Sequence, residues 1–375
     1  MFLTLISASI LEQQRKNQEI GGGKNNNFLP STHLSTSIII MQHTKDVVEV
    51  HRASQGSQEG GEATMSIQFT PDFEWVAAAS STGVVQFTSR TQNTVFRPFG
   101  LGDRDTGLTN ISFCKDYNDE GSQNAYWMSA SSSSGLVRVF EVIPGERYNT
   151  LGEAREENET LVTALSPNHK LMASGGADKV LRVYTVTPDD GMRLTQSIEQ
   201  GIDEHGAPSI GHGSRIFAIK FLPDSFTFLS AGWESSVLLY DTRAGNSPQR
   251  QFQGPRISGD GIDLSGNLLV TASDRLTDQL QFFDFGSGQK VGKDVSFNSS
   301  LFSVRLSTRK GNAVAWVAGS KENTVACVDI KTREVVTSIR NLDEAMFALD
   351  VNGDRPGLIY AGGGAGSVYR ITVIE

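Results

Sequence analysis

The sequence predicts an all-β protein made of seven repeated units. From about residue 38 onward, short apolar runs alternate with Gly, Ser, Asn and Asp and no helical period is sustained, a texture typical of many short strands. An aromatic or aliphatic residue that ends such a run also returns at intervals of 43 to 56 residues. These residues are Phe87, Phe140, Tyr184, Tyr240, Phe283, Val328 and Ile371. A near-constant period of this length indicates a repeat architecture.

Each unit contains two further segments upstream of that residue. The first is apolar and ends in a turn, as in "SIQFTPD" (66–72) and "FAIKFLPD" (217–224). Proline fixes φ and Asp accepts the turn, so we expect a hairpin to the next segment. The second is rich in small residues, as in "VAAASS", "LMASGG" and "IYAGGG". Small side chains let neighbouring sheets approach closely, so we expect this segment in the inner packing layer.

One unit resembles a known repeat. The stretch "GHGSRIFAIKFLPDSFTFLSAGWESSVLLYD" (211–241) is similar to the WD40 repeat, with Gly211-His212 at the family's Gly-His and Tyr240-Asp241 at its Trp-Asp. The resemblance covers residues 46–375, although no unit has a literal Trp-Asp. It implies a seven-bladed β-propeller of four-stranded antiparallel blades. It also implies a structural hydrogen-bond set, namely His212, Ser230, Glu234 and Tyr240.

Closing such a ring requires a strand from the N-terminal side, because the last unit ends in "SVYRITVIE" with no residues left for its outer strand. An unpaired edge there would invite aggregation. We expect "DVVEVH" (46–51) to supply the strand. The polar, low-complexity residues before it predict a disordered extension over 1–37 and a propeller over 38–375.

Composition excludes several classes of partner. The 33 basic and 42 acidic residues give a net charge of −9, so no broad basic surface for nucleic acid is expected. The two cysteines, Cys114 and Cys327, form no CxxC or Cys/His cluster, which predicts neither a zinc site nor a disulfide framework. The apolar N-terminal stretch is too short to span a bilayer. We expect no cofactor, no membrane partner, and a reducing compartment, the cytoplasm or also the nucleus.

The chain has no catalytic motif such as GxSxG, HExxH or GxGxxG opening a helix. We therefore expect a non-enzymatic scaffold or adaptor, a monomeric propeller that binds other proteins or peptides within a complex. The alternative is a propeller hydrolase or lyase that uses the charged residues of the fifth unit. Those residues are Arg256, Asp260, Asp263 and Asp274.

The expected binding residues lie in the turns between second and third strands, the face that this family commonly presents to partners. They are Lys179, Trp233, Arg275 and Lys321. Trp and Arg are the types that most often dominate interfaces. For Trp233 the alternative is packing against the adjacent blade.

A shorter resemblance predicts a more specific role. "FLSAGWESSVLLYDTR" (228–243) is similar to the box of substrate receptors in cullin-4-type ubiquitin ligases, whose Trp-Asp-x-Arg ending contacts the adaptor protein. Arg243 would be the contacting residue, on the face opposite Trp233. The alternative is that Arg243 is a solvated cation at a strand end.

Overall fold

The computed structural model describes residues 47–54, 62–90, 95–100, 107–114, 125–202, 206 and 208–374. Within these ranges the chain forms β-strands and turns, and it has no helix that could cross a membrane. The predicted extension over 1–37 and its boundary with the propeller lie outside the described residues.

The strands form seven blades, as predicted. Strand β1 spans Val47–Ser54. Blade 1 contains β2 (Thr64–Phe69), β3 (Trp75–Ser80), β4 (Val84–Ser89) and β5 (Val95–Gly100). Blade 2 contains β6 (Leu108–Phe113), β7 (Tyr126–Ser132), β8 (Leu136–Ile143) and β9 (Arg147–Arg155). Blade 3 contains β10 (Thr160–Leu165), β11 (Leu171–Gly176), β12 (Leu181–Thr187) and β13 (Gly191–Ile198). A small hairpin follows, β14 (Gly201–Ile202) with β15 (Pro208–Ser209).

The remaining blades complete the ring. Blade 4 contains β16 (Ile216–Phe221), β17 (Thr227–Gly232), β18 (Ser236–Asp241) and β19 (Arg250–Gln253). Blade 5 has three strands, β20 (Ile262–Ser265), β21 (Leu268–Ala272) and β22 (Leu280–Asp284). Blade 6 contains β23 (Leu301–Arg309), β24 (Asn312–Gly319), β25 (Thr324–Asp329) and β26 (Val335–Ile339). Blade 7 contains β27 (Met346–Val351), β28 (Leu358–Gly363), β29 (Val368–Ile374) and β1.

The N-terminal strand closes the ring as the sequence predicts. Strand β1 pairs antiparallel with β29, with Val47 opposite Ile374 and Val50 opposite Ile371. Val50 is buried and packs in one apolar cluster with residues of blades 6 and 7. The outer edge of β29 is therefore covered by the opposite end of the chain.

The first strand of each blade faces the centre. First strands of successive blades contact one another around the full ring, including β27 with β2. The small-residue segments form the second strands, one position outside the innermost strand. Many of their alanines are fully buried, for example Ala77, Ala173 and Ala361, so the blades can pack closely at that radius.

Side chains of one blade satisfy inner-strand amides of the next. The backbone N–H of Phe113 donates to Gln68 Oε1 (3.2 Å), and that of Phe69 donates to Asp350 Oδ2 (2.8 Å). Two equivalent bonds link blades 2 and 3 and blades 5 and 6. They run from Leu165 N to Ser112 Oγ (3.4 Å) and from Leu306 N to Asp263 Oδ2 (2.6 Å). Because buried amides require partners, these bonds bind neighbouring blades together.

Blade 4 contains the hydrogen-bond set implied by the WD40 resemblance, with one difference. His212 Nε2 lies 2.7 Å from Ser230 Oγ, and Nδ1 faces the Glu234 carboxylate. The arrangement suits an Nδ1–H that donates to Glu234 and a Ser230 hydroxyl that donates to Nε2. The difference is Tyr240, whose hydroxyl donates a hydrogen bond to the Ile210 carbonyl (2.8 Å) rather than to Ser230 or His212.

Blade 3 has a carboxylate where blade 4 has this histidine. Glu156 precedes the first strand by the same four residues as His212, and it is buried. It accepts hydrogen bonds from Thr160 Oγ1 (2.7 Å), Tyr184 Oη (2.9 Å) and Ser174 Oγ. Burial, with a further contribution from the Glu156 charge, raises the pKa of Tyr184 above its usual range. Three hydroxyl donors stabilise this buried carboxylate in the role that His212 has in blade 4.

We expect ring closure to depend on β1. A truncation that begins at residue 47 should keep the melting temperature of the full chain, whereas one that begins at residue 55 should expose the edge of β29 and form oligomers or precipitate. Thermal unfolding and size-exclusion chromatography of both truncations test this. Equal solubility and stability of the two proteins would contradict it.

We expect the two buried sets to contribute comparably to stability. His212→Ala and Glu156→Ala should each lower the free energy of unfolding by about 1–3 kcal/mol, because each leaves buried hydroxyl or carboxylate partners unsatisfied. Urea unfolding measures the change. Glu157→Ala is the matched control, since Glu157 is exposed beside Glu156 and should change stability by less than about 0.5 kcal/mol. An unchanged His212→Ala midpoint would show that the set contributes nothing.

Candidate functional site

The four predicted binding residues lie on one face. Lys179, Trp233, Arg275 and Lys321 follow the second strands of blades 3, 4, 5 and 6, in the turns that lead to the third strands. These turns and the links between blades define what we call the upper face. The turns between first and second and between third and fourth strands define the lower face.

Trp233 combines packing with partial exposure. Its Nε1 donates to Ser258 Oγ (2.8 Å) in the link to blade 5, and its ring lies 5.3 Å from that of Phe217. The guanidinium groups of Arg215 and Arg256 lie 5.7 and 5.2 Å from the ring centre. The indole packs against the adjacent blade, and because it is only half-buried, part of its surface also stays open to solvent. These contacts hold the indole in one orientation at the surface.

The fifth-unit residues considered for catalysis form ion pairs. Arg256 Nη1 bonds both oxygens of Asp274 (2.9 and 2.8 Å), and Arg305 bonds Asp260. Lys220 Nζ lies 2.6 Å from Asp263 Oδ1. Burial alone would raise the pKa of Asp263, but Lys220 and Arg305 hold it below its usual range. Each of these carboxylates thus forms an ion pair with a basic side chain from another segment of the chain. In the described ranges, no three His, Cys, Asp or Glu side chains are grouped so that they could hold a metal ion.

Arg275 and its neighbour Leu276 differ in their surroundings. Arg275 Nη1 donates to the Gly254 carbonyl (2.9 Å), and among the described residues it has no carboxylate within ion-pair distance. Lys179 and Lys321 are exposed and, in the same described ranges, form no ion pair either.

Leu276 is 96% exposed at the tip of the blade 5 turn. The sequence analysis missed it, although a leucine inside the charged turn "SDRLTDQ" was the available signal.

A ring of bulged residues was also missed. The pairing of first and second strands shifts by one residue at the same place in blades 1, 2, 3, 4, 6 and 7. The residues skipped at these shifts, which we call the bulge ring, are Met65, Thr109, Leu161, Phe217, Phe302 and Phe347. They lie near the upper-face ends of the first strands. Bulges redirect side chains, so this ring places mostly apolar groups around the upper mouth of the centre.

Two aromatic members of the bulge ring meet there. Phe302 and Phe347 are half-buried, and their rings pack edge to face with centres 5.5 Å apart. The tip of the Phe347 ring lies beside Gly364, in the upper turn of blade 7. Phe217 contacts Trp233 in turn. In blade 4 an aromatic contact therefore joins the bulge ring to the upper turn.

Arg243 lies on the lower face, in the turn between the third and fourth strands of blade 4. Its Nε and Nη2 donate to Asp241 Oδ1 and Oδ2 (2.9 and 2.8 Å), and its guanidinium lies 4.6 Å from the centre of the Phe226 ring. The hydrogen bonds from Arg243 hold the pKa of Asp241 below its usual range. The Arg243 side chain is still 56% exposed.

The comparisons with known proteins agree with this architecture. The family described as WD domain, G-beta repeat matches residues 149–185 and 208–241, in the region of blades 3 and 4. An uncharacterized WD repeat-containing protein of Schizosaccharomyces pombe is 26% identical over 166 residues, which is 40% of this chain and 37% of that protein. A guanine nucleotide-binding protein subunit beta of Solanum tuberosum is 24% identical over 169 residues, which is 42% of this chain and 40% of that protein.

The matches therefore span about two fifths of these relatives. They lie in WD-repeat proteins, and the part of the chain outside the matched repeats completes the same ring of blades. Together, the repeat matches and the strand order show WD40 repeats in the region of blades 3 and 4 of a seven-bladed β-propeller.

Proposed function

We propose that this propeller is a non-enzymatic scaffold that binds its principal protein partner on the upper face. WD40 propellers generally act as protein-interaction scaffolds. The observation that supports the upper face is the nearly complete exposure of Leu276 beside Arg275, one blade from the oriented indole of Trp233. Tryptophan and arginine are among the residue types that most often dominate interfaces.

The rigidity of these groups favours binding further. Trp233 is held by Ser258 and two guanidiniums, and Arg275 is held by the Gly254 carbonyl. Side chains that are ordered before association lose less conformational entropy when a partner binds. The lower face of blade 4 offers a different group, a single arginine that is already neutralised by Asp241.

A second candidate is the substrate-receptor role in a cullin-4-type ligase, and one observation favours it. Arg243 is held in a fixed orientation by Asp241 and Phe226 while more than half of its side chain stays exposed. An arginine prepared in this way suits a contact with an adaptor protein.

Substitutions on the upper face should remove the principal partner. The double variant Trp233→Ala/Arg275→Ala should stay folded and lose partners captured by affinity purification and mass spectrometry, since central anchors can each contribute about 2 kcal/mol or more. Leu276→Asp should do the same with an unchanged melting temperature, because the side chain makes almost no contact within the chain. Leu194→Asp is the matched control, a leucine 49% exposed on the outer strand β13. If Leu276→Asp retains every partner that Leu194→Asp retains, the upper face is the wrong one.

Arg243→Ala should separate the two candidates. It should leave the upper-face partners bound, because the contacts of the Arg243 side chain among the described residues are with Asp241, Asp224 and Phe226 of the lower face. If the ligase role is correct, purified cullin-4 adaptor should bind the unsubstituted protein and lose most of its affinity for Arg243→Ala. No binding of the adaptor to either protein would remove this second candidate.

A further inference from the structure

We infer that the upper mouth of the propeller receives a basic side chain, arginine or lysine, from the principal partner. The inference rests on the proposed function and adds the chemistry of the partner. The apolar stem of that side chain would lie against Phe302 and Phe347 of the bulge ring, and its charged end would reach Asp260.

The bulge ring provides the aromatic part of this surface. The one-residue shift leaves Phe302 and Phe347 outside the pairing of first and second strands. Both rings are half-buried and pack edge to face, so each keeps exposed surface at the mouth. Thr109 has the same place in blade 2, so the bulge itself does not require an aromatic residue. Aromatic rings attract cations, and lysine and arginine lay their alkyl stems along apolar surface.

Asp260 lies next to this aromatic pair. The link that carries it runs along strand β23, where a methyl group at Gly259 would come within 2.5 Å of the Phe302 carbonyl oxygen and 3.3 Å of its Cβ. One step further, the Val304 N–H donates to the Asp260 carbonyl (3.2 Å). The Asp260 side chain is 30% exposed. A partly open carboxylate therefore adjoins the residue that carries one of the two rings.

Carboxylates outnumber cations around Asp260. Arg305 bonds Asp260, and its Nε also donates to Asp350 (3.0 Å), so one cation is shared by two carboxylates. Asp263, the next carboxylate of blade 5, pairs with Lys220 (2.6 Å). These five side chains carry three negative charges and two positive ones. One negative charge therefore remains uncompensated among them, and it complements a cation supplied by a partner.

The upper turns do not supply the missing positive charge. In the turn of blade 5, Arg275 and Asp278 carry opposite charges, and the printed partner of the Asp278 carboxylate is the neutral hydroxyl of Ser296. Lys321, in the turn of blade 6, is exposed to solvent, where salt screens its charge. Both turns follow second strands, about 4.8 Å further from the centre than the first strands. The charge nearest to the two phenylalanines is thus that of the Asp260 group.

Selection from a random peptide library displayed on phage tests the proposal on the full chain. The library is selected in parallel on the unsubstituted protein and on Phe302→Thr/Phe347→Thr, which introduces the residue already present at Thr109. Peptides that bind only the unsubstituted protein should share one position that is occupied by arginine or lysine. An acidic or apolar residue at the shared position, or no peptide that depends on the two phenylalanines, would overturn the proposal.

A second measurement isolates the charge. Fluorescence polarisation compares a labelled selected peptide with a copy that has norleucine at the basic position, which keeps an alkyl stem without a charge. Norleucine should weaken binding by about tenfold or more. Asp260→Asn should weaken the basic peptide by a similar factor and change the affinity of the norleucine peptide by less than about twofold. The control Asp189→Asn, which neutralises an exposed acid in the lower turn of blade 3, should bind both peptides like the unsubstituted protein.

Equal binding of the basic and norleucine peptides, or an equal loss with Asp189→Asn, also contradicts the proposal, and melting temperatures show whether each variant is folded. The proposed function has its own readout, capture of native partners. If Leu276→Asp loses those partners while Phe302→Thr/Phe347→Thr and Asp260→Asn keep them, the face is correct and the anchor site is wrong. If all upper-face variants keep the partners, the proposed function itself fails.

Discussion

The whole structure depends on satisfying the free edges of its sheets. Each blade has an inner edge at the centre and an outer edge at the rim, and unpaired backbone groups at either edge are costly when they are buried. At the centre, side chains such as Gln68 and Asp350 accept the amides of the next blade. In blade 7 the opposite end of the chain supplies β1. The same requirement thus joins neighbouring blades and closes the ring.

Blade 5 departs from the other blades at its outer edge, and ion pairs hold its inner strand to both neighbouring blades. It has three strands, and beyond β22 only the isolated bridges Leu280–Val295 and Phe283–Lys290 extend the sheet. Ion pairs join it to both neighbours, through Lys220 with Asp263 and through Arg305 with Asp260. Charge pairs that are partly shielded from solvent are screened less than exposed ones. The three-stranded blade is also the one that presents the upper-face turn with Arg275 and Leu276.

The sequence predicted the large-scale architecture better than the site. The period of strand endings from Phe87 to Ile371 repeats in every blade, because each blade must bury the same kind of strand, so seven blades and the closing strand could be predicted. The use of Glu156 in blade 3 at the position that His212 has in blade 4 could not be predicted. An isolated glutamate in a polar stretch is normally solvated, and only the three hydroxyl donors around Glu156 reveal that it is buried.

The bulge ring was hidden for a different reason. A bulge changes hydrogen-bond register by one residue, while the apolar pattern of a short strand such as Leu301–Arg309 reads equally well without it. Leu276 was visible as a residue, but its exposure depends on the path of the turn. The positions that could be predicted are those that the core specifies, and the missed ones are set by local backbone geometry.

The closing strand has a consequence for biosynthesis. Val50 is among the first described residues to leave the ribosome, and its partner Ile371 is among the last. Blades 1 to 6 can form in order during translation, but blade 7 must wait until β29 has been synthesised, and contacts so distant in sequence form slowly. Until then, β1 has no strand to pair with, and blade 1 lacks blade 7 on one side. The interval in which a chaperone could protect these strands therefore runs from the synthesis of the first blade to the pairing of β1 with β29.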